Sequence, residues 1–240
     1  MSENSFPRVD PAGDAALLVT LGDEISLELN ARVRALAQAL EGRAVRGMRE
    51  VVTAYATLLV FYDPLAATFE EVRDQILALA GQTAAVVVGE ARLREIPTVF
   101  GGAYGPDLPS VAQRVGLSED EVIREFTQAT YTVYMLGFAP GNPYLGGLPP
   151  HLALPRLESP RERVPAGTVA IANQATIYSL TSPGGWRWLG RTYLKLFDPT
   201  ADPPVLLQDG DRVRFVPISE EEYLRMGGEK ETRSPASGRE

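Results

Sequence analysis

The chain has 240 residues and a mass of 26.0 kDa, with 45% hydrophobic residues, no Cys, one His and a formal net charge of -8. That length and apolar content suffice for one large or two modest globular domains, while the acidic balance argues against a nucleic-acid partner held through a broad basic surface. Without cysteine there is no disulfide, no thiolate nucleophile and no cysteine-ligated metal, and a single histidine excludes a site built from several.

The longest apolar runs, LLVF and AAVVV, fall far short of the roughly 20 residues that a membrane-spanning helix requires. The opening MSENSFPRVD carries no signal-peptide pattern, so the expectation is a cytoplasmic protein with no membrane partner. Lysine is nearly absent, with only Lys195 and Lys230 among 23 basic residues. Neither lies in a GxxxxGKS/T phosphate loop or a Met-Lys-Met biotin-attachment motif, so ATP or biotin chemistry would draw on another chain or on a different kind of site.

The first third alternates strand and helix. AALLVTL (15–21) reads as a strand, and behind a Ser26 cap Leu29, Val33, Leu36 and Leu40 fall along one helix face. EVVTAYATLLVFYD (50–63) is rich in β-branched and aromatic residues and predicts two strands or one bent one. Thr68 and Glu71 are spaced as a capping box ahead of a helix that buries Phe69, Val72, Ile76 and Leu79, and AAVVVGE (84–90) predicts a further strand. The order βαββαβ points to an α+β N-terminal domain of the ferredoxin-like split βαβ type, residues 1–90.

A boundary near residue 90 opens a second domain, 91–226. RLREIPTVFGG leads into two short helices, DLPSVAQRVG and SEDEVIREFTQA, the second with a Ser118 and Glu121 capping box. After TYTVYMLGF the helical period ends. TVAIA, ATIYSL, RTYLKLF and RVRFVPI are short and β-rich, with Gly, Pro and Asp between them, which predicts a barrel or sandwich. Gln208-Asp209-Gly210-Asp211 is a hairpin-turn signal in which the two Asp read as turn formers. The last stretch, 227–240, lacks large apolar residues and predicts a disordered tail.

Glycine and proline concentrate between Gly137 and Arg191, which hold eight of the 22 Gly and eight of the 19 Pro. The same segment carries five Arg (156, 161, 163, 187 and 191) against two Glu (158 and 162). A positive segment inside an acidic chain suits an anionic small ligand; the competing reading is solvated loop charge. Two blocks, GFAPGNPYLGGLP (137–149) and SPGGWRWLGRT (182–192), pair glycines with aromatics. Glycine lets backbone N–H groups approach a ligand, an aromatic makes a wall, and Arg supplies a planar fork for carboxylate or phosphate. Arg191 is the leading anion anchor. Against this stands the reading of both blocks as structural turns of a barrel, with Trp186 and Tyr144 as core plugs. His151, in a Pro-flanked loop, and the ion-rich run from Glu158 to Arg163 read as incidental, and no GxSxG elbow supports a hydrolase triad.

The blocks YTVYMLGFAPGNPYLGGLP, LPRLESPRERVPAGTVAIA, SPGGWRWLGRTYLKLFDP and LQDGDRVRFVPIS resemble the family variously called allophanate hydrolase subunit 1, KipI-like or PxpB, the B component of 5-oxoprolinase, over about residues 6–218. The resemblance implies a small N-terminal α/β domain followed by a cyclophilin-like β-barrel. It implies a second subunit of the PxpC or allophanate hydrolase subunit 2 type, with a site at the junction, and a third subunit acting on the lactam. It also implies ATP-dependent opening of 5-oxoproline to glutamate, with ATP bound together with the partner and no metal or biotin attached to this chain. Two alternatives come with it: a carboxyltransferase component of a biotin-dependent urea carboxylase, and a regulatory protein that inhibits a histidine kinase. The chain lacks an amidase Ser-Ser-Lys signature, so allophanate hydrolysis by this chain alone is not expected.

Residue by residue, the family loop GFxPGFxYLGG matches Gly137, Phe138, Pro140, Gly141, Tyr144, Leu145, Gly146 and Gly147, with Asn142 in place of its second Phe. NQATIYS (173–179) is one residue shorter than the family's GxQTGIYP, and Phe126 stands where a His is common. These departures imply a divergent subgroup. On the resemblance, Arg191 and Arg156 hold the anion, and the Gly184 and Gly185 backbone stabilises developing negative charge. Gln174 and Asn142 orient polar atoms, and Phe138, Gly141, Tyr144, Tyr178, Trp186 and Thr192 complete the substrate site.

Overall fold

A computed structural model describes residues 6–83 and 91–230. The chain divides into two compact units, residues 1–91 and 92–240. In the first, β1 (Arg8–Pro11) and β2 (Ala16–Thr20) precede α1 (Leu27–Glu41), β3 (Met48–Thr53), β4 (Thr57–Tyr62) and α2 (Phe69–Thr83). The helices start where the sequence places their caps. Ser26 accepts from the Leu29 N–H at 3.1 Å, and Thr68 and Glu71 cap each other reciprocally at 2.9 and 3.3 Å. Val33, Leu36, Leu40, Val72 and Ile76 are fully buried against Leu17, Val19, Leu58 and Val60 of the sheet, each such side chain contributing roughly 1.5–3 kcal/mol.

The sheet order is β1-β2-β4-β3, every pair antiparallel. Since β2 and β3 flank β4, they run parallel to each other and α1 joins them, which is a split βαβ. In a ferredoxin-like sheet the edge beside β2 belongs to the last strand. Here β1, which the sequence pattern does not reveal, holds that edge, and the strand expected at 84–90 lies outside the described residues.

The second unit begins with β5 (Leu93–Phe100), α3 (Leu108–Val115), α4 (Glu119–Gln128), β6 (Tyr131–Leu136) and β7 (Pro143–Gly146). It continues with β8 (Arg161–Val164), β9 (Thr168–Ala172), β10 (Gln174–Ile177), β11 (Ser182–Gly184), β12 (Arg187–Arg191), β13 (Arg212–Pro217) and α5 (Glu220–Arg225). Seven strands close into a barrel in the order β10-β7-β6-β13-β5-β12-β9, while β8 and β11 form a separate two-stranded sheet. Among the described residues, β5 and β13 are the only strands that pair in parallel. The expected barrel is therefore present, with two differences from the sequence reading. Part of the GFAPGNPYLGGLPP block is strand β7, and RTYLKLF leaves the barrel at Arg191.

Alternation along the strands sorts their side chains between two environments. Leu145, Val169, Ile171, Ala175, Ile177 and Leu189 point into the barrel, where Leu108 and Val111 of α3 and Val122 and Phe126 of α4 join them. The alternate residues Tyr144, Ala170, Ala172 and Trp188 face outward and are covered by Val164 of β8, Tyr178 and Trp186. This is why TVAIA is buried at all five positions: one face meets the core and the other meets the β8/β11 pair.

A buried ion pair pins that pair of strands to the wall. Arg161 on β8 donates from Nη1 and Nη2 to the two carboxylate oxygens of Asp107 at 2.9 and 2.7 Å. Asp107 also accepts the Trp188 N–H at 2.7 Å, and the Arg161 guanidinium lies 4.7 Å from the Trp188 ring centroid. Both side chains are nearly shut off from water, with relative exposures of 5% and 9%.

Of the tail, residues 227–230 are described: the Gly228 N–H caps α5 on the Tyr223 carbonyl at 2.9 Å, and Glu229 approaches Arg191 at 3.6 Å. Among the described residues no helix is long and apolar enough to cross a membrane.

Truncating one partner of a desolvated pair strands the other charge, at about 3–5 kcal/mol. Asp107→Ala is expected to lower the apparent unfolding free energy by that amount in denaturant titrations followed by tryptophan fluorescence. Adding Arg161→Met to Asp107→Ala should recover part of the loss, because the stranded cation is then gone.

Candidate functional site

On the outside of the barrel, under the edge of β11, lies a cavity of about 220 Å³. Its lining is Phe138, Asn142, Tyr144, Arg156, Pro160, Thr176, Tyr178, Pro183, Gly184, Gly185 and Trp186. The loop before β7 shapes one side. Asn142 donates its N–H to the Ala139 carbonyl at 3.1 Å and accepts the Gly137 N–H at 3.0 Å, closing a tight turn. Phe138 within it takes φ 71° and is 68% exposed. An aromatic side chain in the left-handed region is a strained placement of the kind that gathers at functional sites.

The hydrogen bonds fix how Asn142 presents its amide. Thr176 donates its only hydroxyl proton to the Pro143 carbonyl at 2.7 Å, so it must accept from Asn142, whose Nδ2 lies 3.1 Å away. Among the described residues this is the sole bond of the Asn142 side chain. Its Oδ1 is left as an acceptor on a buried residue that is 4% exposed.

Tyr178 supplies the opposite polarity. Burial pushes its phenol up to about 12, while the Trp186 N–H that it accepts and the nearby Arg156 and Arg161 charges pull the other way. The hydroxyl therefore stays protonated at neutral pH and is a donor. Gly184 is required by this placement, since a Cβ there would fall 2.1 Å from the Tyr178 Oη. Trp186 stands edge-on to Tyr144, with centroids 6.1 Å apart at 68°, and the Arg156 guanidinium lies 5.7 Å from the Trp186 ring centroid. One wall thus carries a cation on an aromatic plate, another a carbonyl acceptor and a third a phenol donor. Among the described residues no three His, Cys, Asp or Glu side chains gather as a metal site.

The structure brings together Phe138, Asn142, Tyr144, Arg156, Tyr178, Gly184, Gly185 and Trp186, and it leaves four other expected site residues outside the lining. Arg191, the leading anchor, is 8% exposed and donates Nε to the Ala166 carbonyl at 3.0 Å. Its partner at the end of β12 is Thr168, two positions along β9 from the Ala170 that Trp188 faces. Thr192 bonds backbone to backbone with Gly167 at 2.9 Å. Gln174 pairs with Ala172 where β9 turns into β10. Gly141 is a packing requirement: at φ 71°, a Cβ there would come within 2.9 Å of the Leu196 carbonyl. His151 pairs with Glu125 and is not part of the lining. Sequence reasoning passed over Thr176, Pro160 and Asp107, and it picked out Pro183 within SPGGWRWLGRT without giving it a role; the polar position of Thr176 inside a buried strand offered a further signal.

The family model of the carboxyltransferase domain, subdomain C and D, matches residues 7–207. The 5-oxoprolinase B subunit of Bacillus subtilis (strain 168) is 40% identical over 227 residues, covering 90% of this chain and 95% of that protein. The crystal structure of TTHA0988 superposes with a TM-score of 0.74 at 38% identity, covering 92% of this chain and 41% of that one. The urea amidolyase of Saccharomyces cerevisiae is 26% identical over 250 residues, which is 90% of this chain but 13% of that protein. The chain belongs to the carboxyltransferase C and D subdomain family and, within it, to the PxpB group of 5-oxoprolinase B subunits.

The raised Tyr178 value sets an alkaline signature. A phenol whose folded value lies above the ordinary value of about 10 stabilises the fold fully below that pH, and the contribution is lost as pH climbs toward about 12. Between pH 10 and 12 the wild type should lose thermal stability more steeply than Tyr178→Phe. Tyr131, also raised by burial, contributes equally to both proteins. Equal slopes would show that Tyr178 is not held as described.

Proposed function

We propose that this chain is one subunit of an ATP-dependent complex that opens 5-oxoproline to glutamate, working with a second subunit of the PxpC type and a third that acts on the lactam. The 40% identity to a 5-oxoprolinase B subunit over nearly its whole length supports the reading. The observation that carries it to particular residues is the polarity of the outer-wall cavity. 5-Oxoproline offers a carboxylate, a lactam N–H and a lactam carbonyl. Arg156 over Trp186 receives the carboxylate, Asn142 Oδ1 accepts the N–H, and the Tyr178 hydroxyl donates to the carbonyl oxygen, where negative charge builds as the ring opens.

The division of labour follows from what the lining omits. Among its described residues there is no Asp, Glu or His, so general-base chemistry and the attacking group come from a partner. A lactam is a poor electrophile, and ATP supplies the driving force. This chain has no phosphate loop, so the nucleotide is held with the partner subunit. The role of this chain is to orient the lactam and stabilise charge on its oxygen.

The likeness to urea amidolyase favours one second reading, a carboxyltransferase component. A ureido ring presents the same adjacent N–H and carbonyl, and a co-purifying biotin carrier would select it.

The test is ADP release with 5-oxoproline by the chain alone and together with its partner subunits. Lactam-dependent turnover that needs the partners is expected. In that complex Arg156→Gln should raise KM at least about tenfold, the worth of a charge-assisted hydrogen bond, with a smaller change in kcat. Arg191→Ala should lower the melting temperature and leave KM near the wild-type value. A complex with no lactam-dependent turnover, or an unchanged KM in Arg156→Gln, would overturn the assignment.

A further inference from the structure

A second cavity, of about 260 Å³, shares no residue with the first, and Arg92, Arg94, Lys195, Asp198, Pro203 and Gln208 are among its lining. Its place in the fold follows from strand register. The parallel β5–β13 ladder pairs Arg94 with Val213 and Ile96 with Phe215. Ile96, Val213 and Phe215 belong to the barrel core. Arg94, two residues before Ile96, therefore occupies the next inward-facing position, at the end of the barrel. A guanidinium stands where the alternation calls for an apolar side chain.

The other charges at this mouth are matched. Arg92 donates from Nε and Nη2 to the carboxylate oxygens of Asp211, both at 2.9 Å, and from Nη2 to Gln208 Oε1 at 2.9 Å. Asp211 also accepts the Gln208 N–H at 2.9 Å, so it is a strut of the mouth as well as the turn former its sequence suggests. Lys195 Nζ lies 3.1 Å from Asp198. Arg94 differs: its Nε is closed off from solvent and has no acceptor among the described residues. A buried donor left without an acceptor forfeits the value of a hydrogen bond, and such groups in native folds call for a partner.

We propose that the barrel mouth is a second ligand site, one for a small oxyanion whose oxygens accept from Arg94 beside Lys195. The guanidinium fork fits the oxygens of a carboxylate or of a phosphate group alike. Pro203, Pro204 and Leu206 form the apolar side of the mouth, and barrel mouths are a recurrent place for ligands. The site is independent of the outer-wall cavity and of any role in lactam opening.

The experiment is an amide-resolved NMR titration of the full chain with inorganic phosphate and, separately, with L-glutamate. Saturable shifts are expected around Arg94–Ile96 and Val205–Gln208. Loss of these shifts in Arg94→Gln, with any Trp186 indole shift retained, separates this site from the outer-wall cavity. Response to phosphate alone assigns a phosphate group, response to glutamate alone a carboxylate, and response to both a general oxyanion site. Arg94→Gln should weaken binding at least about tenfold while melting no lower than the wild type, because the charge it removes has no counter-ion among the described residues. If that variant fails to fold, Arg94→Lys keeps the charge without the fork and should still weaken binding. Absence of saturable shifts with both probes, or unchanged affinity in the substituted protein, overturns the proposal.

Discussion

Asp107 and Arg161 stand 54 residues apart in sequence and meet in a two-pronged ion pair, and the outer-wall cavity depends on that meeting. A two-stranded sheet such as β8/β11 is marginal by itself. It stays on the barrel because Val164 packs on the outward row of β9 and because Arg161 cannot leave Asp107 without stranding a charge. Asp107 is itself held, since it precedes α3 and accepts the Trp188 N–H of β12. Helix, wall and covering strands are thus joined at one carboxylate, and the strands so held carry Pro183 and Gly184 into the cavity lining.

The barrel interior is filled with Leu, Ile, Val and aromatic side chains, and the cavity lined by Tyr144, Thr176 and Trp186 lies outside it. Strand alternation makes that exterior usable: the residues following or preceding each core position face outward, and on β7 and β10 they are Tyr144 and Thr176, which pair directly. Thr176 is polar, buried and fully bonded. Its task is to fix the Asn142 amide so that the acceptor end is left for a ligand. Where the family loop carries a second Phe, this chain therefore has a hydrogen-bonding group held in one orientation, a change in the character of the wall that goes beyond turn formation.

Much of this was legible in the sequence for local reasons. The caps at Ser26, Thr68 and Ser118 act within one turn of helix, and the apolar steps from Leu29 to Leu40 need no tertiary context. The glycine and aromatic blocks run along the outer-wall cavity, because close packing around Gly184 and the left-handed turn at Phe138 leave a local imprint. What escaped depends on register. Arg156 and Arg191 are equivalent as sequence, both arginines in Gly- and Pro-rich surroundings. Arg191, paired with Thr168 at the end of β12, donates to the Ala166 carbonyl, and the loop ahead of β8 lays Arg156 over Trp186. Asp107 and Arg161 had no local signal linking them, and Arg94 becomes unusual only once β5 is known to run parallel to β13. The N-terminal edge strand was missed because four residues, RVDP, carry too little alternation to register.

The most direct measurement is a crystal structure of the chain with its partner subunits and bound 5-oxoproline. The lactam is expected in the outer-wall cavity, its carboxylate on Arg156, its ring N–H on Asn142 Oδ1 and its carbonyl toward the Tyr178 hydroxyl. A ligand seated instead at Arg191, or in the barrel mouth with the outer-wall cavity closed, would contradict that placement.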